Sequence, residues 1–186
     1  KNAECRIVAV SDASAGLYRG DGIDVLELAR YQHSHDGRIN GFPGADAIDN
    51  HELLTLDVDV LIPAALGGVL TAANADAVQA RAIVEGANAP VEADADAMLT
   101  ERGVIVLPDI LANAGGVTAS WFEWVQNRQH YRWGLDRVRQ ELDRILGEGF
   151  EQVWQLAQSR QVSLRTAAYM LGVGRVARAT VLGGME

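Results

Sequence analysis

The sequence predicts an α/β fold with a doubly wound, mostly parallel sheet, followed by helices at the carboxyl end. Short aliphatic runs alternate with segments of helical periodicity over most of the chain. The clearest example is Val104–Gln126, in which an aliphatic run ends at Pro108-Asp109 and a glycine-bearing corner precedes a helical pattern. In an open α/β sheet such corners lie at the carboxyl ends of the strands, where ligands bind.

The first part of the chain has β-rich and helical patterns separated by loops that contain glycine or proline. A glycine-bearing loop follows the first strand and includes Gly16, Gly20 and Gly22. The predicted elements are, in order, the strand Arg6–Val10, the helix Ile23–Tyr31, the short strand Ile39–Phe42, and a brief helix capped by Asp49 or Asn50 that reaches Leu56.

The middle of the chain repeats the alternation, and the last part is helical. The predicted strands are Val58–Ile62, Ala82–Val84 and Val104–Leu107, and the helices between them are Asn74–Ala80 and Glu92–Arg102. After Trp133, Leu135–Ser159 reads as one long amphipathic helix, and Ser163 can cap a final helix to about Leu182.

Composition and charge narrow the class of protein. The 186 residues are 48% hydrophobic and 22% charged, which is typical of a soluble globular domain. A net charge of −9 argues against a nucleic-acid partner, and the longest apolar stretch, Val58–Ala73, is broken by proline and glycine before it could span a membrane. The single cysteine, Cys5, is expected to be a small core residue in a cytoplasmic protein. The chain opens without methionine and is expected to be part of a longer protein.

Two motifs are rejected. Gly172–Ala177 matches the dinucleotide fingerprint G-x-G-x-x-A, but it lies late in a helical pattern and does not follow a strand. The four histidines, His33, His35, His51 and His130, lack the spacing of metal ligands, so no metal site is predicted.

The informative residues stand where predicted strands end. Asp12 can accept hydrogen bonds from ribose hydroxyls, or it can simply cap a turn. Ala64 and Ala65 are small enough to let a flat ring approach the backbone, and Asn88 and Asn113 can each donate to and accept from a carboxamide. A single asparagine here is by default a turn residue, but successive strand ends with small or amide side chains favour a binding site.

Several motifs resemble, in order and spacing, the carboxyl-terminal half of glutamate dehydrogenases, within the glutamate, leucine, phenylalanine and valine dehydrogenase superfamily. The resemblance covers nearly the whole chain, and Gly41–Ala45 and Phe122–Asn127 favour glutamate over the other substrates. The segments that carry it are Ala9–Asp12, Gly41–Ala45, Asp59–Leu66, Glu85–Asn88, Pro108–Thr118, Ser120, Phe122–Asn127 and Arg165–Tyr169.

The resemblance implies a Rossmann-like domain at residues 1–132 that binds NAD or NADP, with residues 133–186 as a helical segment packed on it. It implies reversible oxidative deamination of L-glutamate to 2-oxoglutarate and ammonia. Asp12 would contact the adenosine ribose, Ala64 and Ala65 would line the nicotinamide ribose region, and Asn88 and Asn113 would hold the nicotinamide. Val117 and Ser120 would reach the substrate side chain, Ser120 toward its distal carboxylate. The coenzyme choice stays open.

The same resemblance implies that important parts lie outside this sequence. The catalytic lysines and aspartate of the family belong to an amino-terminal half, and the first, central strand of the sheet with its glycine loop is also missing. The chain is therefore expected to be inactive alone, to need that half as a partner, and to belong to a homo-oligomer, a hexamer by resemblance. Alternatives are a leucine, phenylalanine or valine dehydrogenase, or a non-catalytic regulatory homologue. Gly67-Gly68 and Gly134 depart from the family pattern.

Overall fold

The computed structural model describes residues 5–184, which form two compact units. One unit contains the chain up to residue 58 together with 77–80, and the other contains 59–76 and the chain from 81 onward. The predicted division between 1–132 and 133–186 remains a prediction.

The first unit is built on an antiparallel sheet, in the order β1 (Ala9–Ser11), β2 (Gly16–Tyr18) and β3 (Asp46–Ile48). The expected strand Arg6–Val10 is therefore shifted, and it pairs in a hairpin instead of a parallel sheet. The chain reverses because Asp12 closes a tight turn, with its backbone amide donating to the Ala15 carbonyl at 3.0 Å. Gly16 is required in β2, since a Cβ there would lie 2.6 Å from the Ile48 carbonyl oxygen.

Two capped helices complete this unit. Helix α1 spans Val25–Ser34 behind the cap Asp24, and α2 spans Asn50–Leu54 behind Asp49, which forms a capping box with Glu52. The predicted strand Ile39–Phe42 is wrong, because this segment is a turn whose apolar side chains are buried instead of paired in a sheet. The core cluster consists of Leu17, Ile23, Leu28, Ile39 and Phe42.

The second unit contains the predicted parallel sheet. Its order is β4 (Val60–Leu61), β5 (Ala82–Val84) and β6 (Ile105–Leu107), and a 3-10 helix at Ala75–Ala77 and helix α3 (Ala93–Glu101) occupy the predicted helical segments. After β6 the chain forms α4 (Asp109–Ala112) and α5 (Gly115–Gln129). The α/β class and the parallel pairing of these three strands are thus confirmed.

The last two helices belong to the same unit. Helix α6 spans Leu135–Arg160, and α7 spans Leu164–Leu182 with the Ser163 side chain accepting the Thr166 amide as predicted. The fingerprint-like segment 172–177 lies inside α7, as its helical pattern predicted, and does not follow a strand.

The structure also bears on the single cysteine and on the apolar character of the helices. Cys5 is exposed and precedes β1, so the prediction that it is a small core residue is wrong. Among the helices of residues 5–184, none combines the length and the apolar character that crossing a bilayer requires.

Candidate functional site

The loops that leave the three parallel strands are joined to one another. Parallel neighbours end at the same edge of a sheet, so the exits of β4, β5 and β6 are adjacent. The amides of Gly86 and Ala87 donate to the Pro63 carbonyl at 3.1 and 2.9 Å, and the Gly68 amide donates to the Ala89 carbonyl at 2.9 Å. The first two loops therefore form one hydrogen-bonded layer.

Small residues allow this layer to form. A Cβ on Gly86 would lie 3.0 Å from the Ala64 Cβ, and a Cβ on Gly67 would lie 3.0 Å from the Asn88 carbonyl oxygen. The backbones thus approach more closely than larger side chains would permit. Ala64 and Ala65 are both exposed here, as an approaching ring would need. The close packing also gives a physical reason for the glycine at position 67.

Asn88 and Asn113 are brought together, although 25 residues separate them in sequence. The Asn113 side-chain nitrogen donates to the Asn88 side-chain oxygen at 2.8 Å, and a longer contact of 3.5 Å reaches the Ala87 carbonyl. Asn88 is exposed and Asn113 is half-buried, so the pair faces solvent on one side. This bond leaves the amide nitrogen of Asn88 as a donor and the carbonyl oxygen of Asn113 as an acceptor, which complement a primary carboxamide.

Asp109 fixes the segment that carries Asn88. Its carboxylate accepts the Ala89 amide at 2.8 Å and the Ile110 amide at 2.7 Å, at the start of α4. Ala89 has φ of +46°, a left-handed conformation that is uncommon for residues other than glycine. The loop after β5 is therefore held in a costly shape by a contact from the loop after β6.

A largely buried ion network lies beneath these loops, and it was not predicted from the sequence. The side chain of Glu85 is fully buried, accepts the Arg165 guanidinium at 2.6 Å, and accepts the Asp109 backbone amide at 2.7 Å. The same guanidinium lies 3.2 Å from Asp96 of α3 and 3.7 Å from Asp109. Burial alone lowers the pKa of Arg165, but hydrogen bonds to Glu85 and Asp96 and their negative charges outweigh it and raise that pKa.

One sequence signal pointed to part of this network. Glu85 directly follows an aliphatic strand, where an acidic residue would need a partner if it were buried. The partner, Arg165, is 80 residues further along the chain, and periodicity cannot specify such a pairing.

Asp12 lies in the first unit and is held by local hydrogen bonds. Its carboxylate accepts from the Ser14 amide and hydroxyl, both at 2.6 Å, from the Ala15 amide at 3.0 Å, and from the Ile39 amide at 3.1 Å. Burial tends to raise the pKa of Asp12, but these bonds outweigh it and lower the pKa. The turn-capping role that the sequence left open is therefore present.

Val117 and Ser120 both lie on helix α5, shortly after Asn113. Val117 is 70% exposed, and the exposed Ser120 donates its hydroxyl to the Gly116 carbonyl at 3.1 Å. A hydroxyl in this position can turn toward a bound anion at the cost of one weak intrahelical bond. Both side chains are thus accessible on the helix that follows the asparagine pair.

The arrangement suits binding and orientation more than proton transfer. Amide groups, small side chains and backbone loops meet at the carboxyl edge of a parallel sheet, where α/β proteins bind nucleotides. The residues present fit a flat ring that bears a carboxamide, since they offer one donor, one acceptor and little steric bulk. The fold is that of an α/β domain of the Rossmann type.

Comparisons with known proteins agree with this class. A sequence model of the Glutamate/Leucine/Phenylalanine/Valine dehydrogenase family matches residues 1–184. The chain therefore belongs to that family. It is 49% identical over 180 residues to a glutamate dehydrogenase of Thermotoga maritima, covering 97% of this chain and 43% of that protein.

Solved structures show the same relationship. The hetero-hexameric glutamate dehydrogenase of Thermus thermophilus, in a leucine-bound form, has a TM-score of 0.88 and 32% identity, covering 97% of this chain and 42% of that one. Glutamate dehydrogenase of Peptoniphilus asaccharolyticus has a TM-score of 0.80 and 30% identity over the same shares. The chain thus spans less than half the length of the relatives it matches.

Proposed function

We propose that this chain is the coenzyme-binding part of an NAD(P)-dependent glutamate dehydrogenase. The reaction is the reversible oxidative deamination of L-glutamate to 2-oxoglutarate and ammonia. The observation that carries the proposal is the Asn88–Asn113 pair, which offers a carboxamide both a donor and an acceptor at the edge where three strand exits meet. The family membership and the glutamate dehydrogenases among its relatives support the substrate class.

The residues of this chain orient the coenzyme. When bound, NAD or NADP supplies the hydride chemistry, so the protein needs to present one face of the nicotinamide to the substrate. Asn88 and Asn113 fix the carboxamide and hence the rotation of the ring, while Ala64 and Ala65 leave room for the ribose. Asp12 accepts from the adenosine ribose with a carboxylate already ordered by its turn.

Val117 and Ser120 bind the side chain of the substrate. Val117 contacts its methylene groups, and Ser120 donates to the distal carboxylate of glutamate. A leucine, phenylalanine or valine dehydrogenase, the alternative within the same family, would place an apolar side chain there and would gain nothing from a hydroxyl. Ser120→Ala in the full-length protein should raise the KM for glutamate with little change in the KM for the coenzyme. An unchanged KM for glutamate would favour the alternative.

Under this proposal, proton transfer and assembly depend on the amino-terminal half that the resemblance implies. The only lysine in the sequence is Lys1, so the lysines that the resemblance implies must come from an amino-terminal half. We propose a homo-oligomer, hexameric by resemblance. The Thermus thermophilus relative is a hetero-hexamer. This observation favours, as a second candidate, a regulatory subunit that assembles with a catalytic homologue.

One assay tests the activity directly. The full-length protein that contains this chain should reduce NAD or NADP when L-glutamate is added, and should oxidise the reduced coenzyme with 2-oxoglutarate and ammonia. Leucine, phenylalanine and valine serve as comparison substrates. Activity with one of these and none with glutamate would select the alternative dehydrogenase, and inactivity with all four would select the regulatory homologue.

A further inference from the structure

Four charged side chains link helix α7 to the two loops that carry Asn88 and Asn113. Arg165, at the second position of α7, contacts Glu85 after β5 at 2.6 Å, Asp96 on α3 at 3.2 Å and Asp109 on α4 at 3.7 Å. One guanidinium therefore serves three carboxylates. These four side chains bond to one another and to backbone amides. Any influence of Arg165 on the positions of Asn88 and Asn113 is therefore transmitted through the backbone.

Glu85 depends on Arg165. Its side chain has no exposed surface, and a buried carboxylate is tolerated only when charge partners and hydrogen-bond donors replace water. Arg165 supplies the charge, and the Asp109 amide supplies a second donor at 2.7 Å. Without the guanidinium, Glu85 and Asp109 would meet as neighbouring negative charges in a largely buried place.

Asp109 passes this dependence to the asparagine pair. It holds the amide of Ala89, which is the residue after Asn88 and has the left-handed φ of +46°. It also begins α4, whose carboxyl-terminal cap is Asn113. A shift of Asp109 would therefore move both asparagines relative to each other and release the strained backbone at Ala89.

The position of Arg165 is fixed by packing. Ala167 has no exposed surface and Ala168 is 7% exposed, in a cluster that also contains Leu164. Leu107 at the end of β6 and Leu111 of α4 pack against this cluster. This close packing fixes the position of the first turn of α7 against the same loops that Arg165 contacts.

We propose that Arg165 is a positioning residue that keeps Asn88 and Asn113 in the arrangement that receives the nicotinamide carboxamide. The inference rests on the proposed function, because it presumes that the pair binds the coenzyme. It adds a dependence on the carboxyl-terminal helix α7, since the residue that sets the geometry of the pair lies outside the strand exits. Arg165 acts through Glu85 and Asp109 and does not itself contact the ligand.

The experiment measures binding by calorimetry on the full-length protein. Two ligands are compared: the reduced coenzyme that the wild type binds, and the matching ADP-ribose, which lacks the nicotinamide. The variants are Arg165→Gln and Arg165→Lys, and the matched control is Arg175→Gln, an exposed arginine on the same helix that bonds to Gln152. Lysine keeps the charge but cannot span several carboxylates as a planar guanidinium does.

A positioning role predicts a selective loss. For Arg165→Gln, the Kd for reduced coenzyme should rise about tenfold while the Kd for ADP-ribose stays unchanged. Arg165→Lys should show a smaller rise for the coenzyme alone, and Arg175→Gln should bind both ligands like the wild type. If the glutamine variant does not fold, the lysine variant is judged by the same ratio of the two Kd values.

Two results would overturn the inference. Equal weakening of both ligands would show that Arg165 supports the fold in general, and unchanged binding of both would show that the pair does not depend on it. A wild-type protein that binds neither NADH nor NADPH would instead contradict the proposed function itself, so the two failures are distinguishable.

Discussion

At the scale of single residues, the amide pair and the Asp12 turn show two different uses of polar side chains at strand ends. Asn88 and Asn113 use part of their hydrogen-bonding capacity on each other, and under the proposed function the remainder binds the coenzyme. Asp12 uses its carboxylate mainly to hold its own turn and the amide of Ile39. Sequence position alone could not distinguish these cases, because both residue types are common in turns.

Removing the Asn113 amide should weaken coenzyme binding. Asn113→Ala takes away the donor to Asn88 and the free acceptor, and a lost hydrogen bond of about 1.4 kcal/mol corresponds to about a tenfold higher KM for the coenzyme. Steady-state kinetics of the full-length protein measure this. Asn127→Ala, an exposed asparagine on α5, is the matched control and should leave the KM unchanged. Equal KM values in wild type and Asn113→Ala would contradict the role of the pair.

Asp12 should make stability depend on pH in a defined range. Its hydrogen bonds lower the folded pKa, so the stabilisation is complete above the unfolded pKa of about 3.9 and is lost as the pH falls through the folded pKa. Asp12→Asn should therefore lower the free energy of unfolding by about 1 kcal/mol at pH 7, with a difference that narrows only below about pH 4. Urea unfolding from pH 8 to pH 3 measures it. A difference that persists unchanged at pH 3 would show that the carboxylate charge is not its cause.

At the scale of elements, helices were predicted more accurately than short strands. The caps Asp49 and Ser163 and the long helix α6 follow directly from local side-chain chemistry and periodicity. Strands β2 and β3 were not predicted, because each has only three residues. Such short strands cannot show the alternation of apolar and polar residues that identifies a strand. The turn at Ile39–Phe42 resembled a strand because buried turns can be as apolar as strands.

Glycine substitutions should separate helix propensity from backbone conformation. Gly147 lies inside α6, where an added Cβ would meet open space, so Gly147→Ala should raise the free energy of unfolding by about 0.5–1 kcal/mol. Gly103 also has open space but has φ of +78°, so Gly103→Ala should lower the free energy of unfolding by about 1 kcal/mol. Urea denaturation of the two variants provides the comparison, and a stabilising Gly103→Ala would contradict the argument.

At the scale of the whole molecule, residues 5–184 leave apolar sheet surface open. In that part of the chain β1 and β3 are the outer strands of one sheet, and β4 and β6 are the outer strands of the other. One row across the parallel sheet, Leu61, Ile83 and Val106, is buried, whereas Val60 and Ile105 on the other face are 49% and 48% exposed. A doubly wound sheet normally has both faces covered, and the central strand implied by the resemblance would pair at a free edge of this sheet such as β4.

The resemblance and the lysine content lead to a prediction about the chain itself. The 186-residue polypeptide alone should show no glutamate-dependent reduction of NAD or NADP, because its single lysine cannot supply the lysines that the family uses. The full-length protein under the same conditions is the control. Turnover by the isolated chain at a rate comparable with the control would overturn the prediction.

The α/β class, the parallel sheet and the strand-end asparagines could be predicted because they follow from local patterns and motif order. The ion network around Arg165 and the hairpin of β1 with β2 could not, since both depend on contacts that no local pattern encodes. Local sequence patterns thus predict the residues at the strand ends better than the distant residues that support them.

The most direct test of the central claim is a crystal structure of the full-length protein with NAD or NADP bound. The side-chain amides of Asn88 and Asn113 should lie within hydrogen-bonding distance of the nicotinamide carboxamide, with Ala64 beside the ribose. A nicotinamide bound elsewhere, with the two asparagines still bonded only to each other and to the Ala87 carbonyl, would contradict the account.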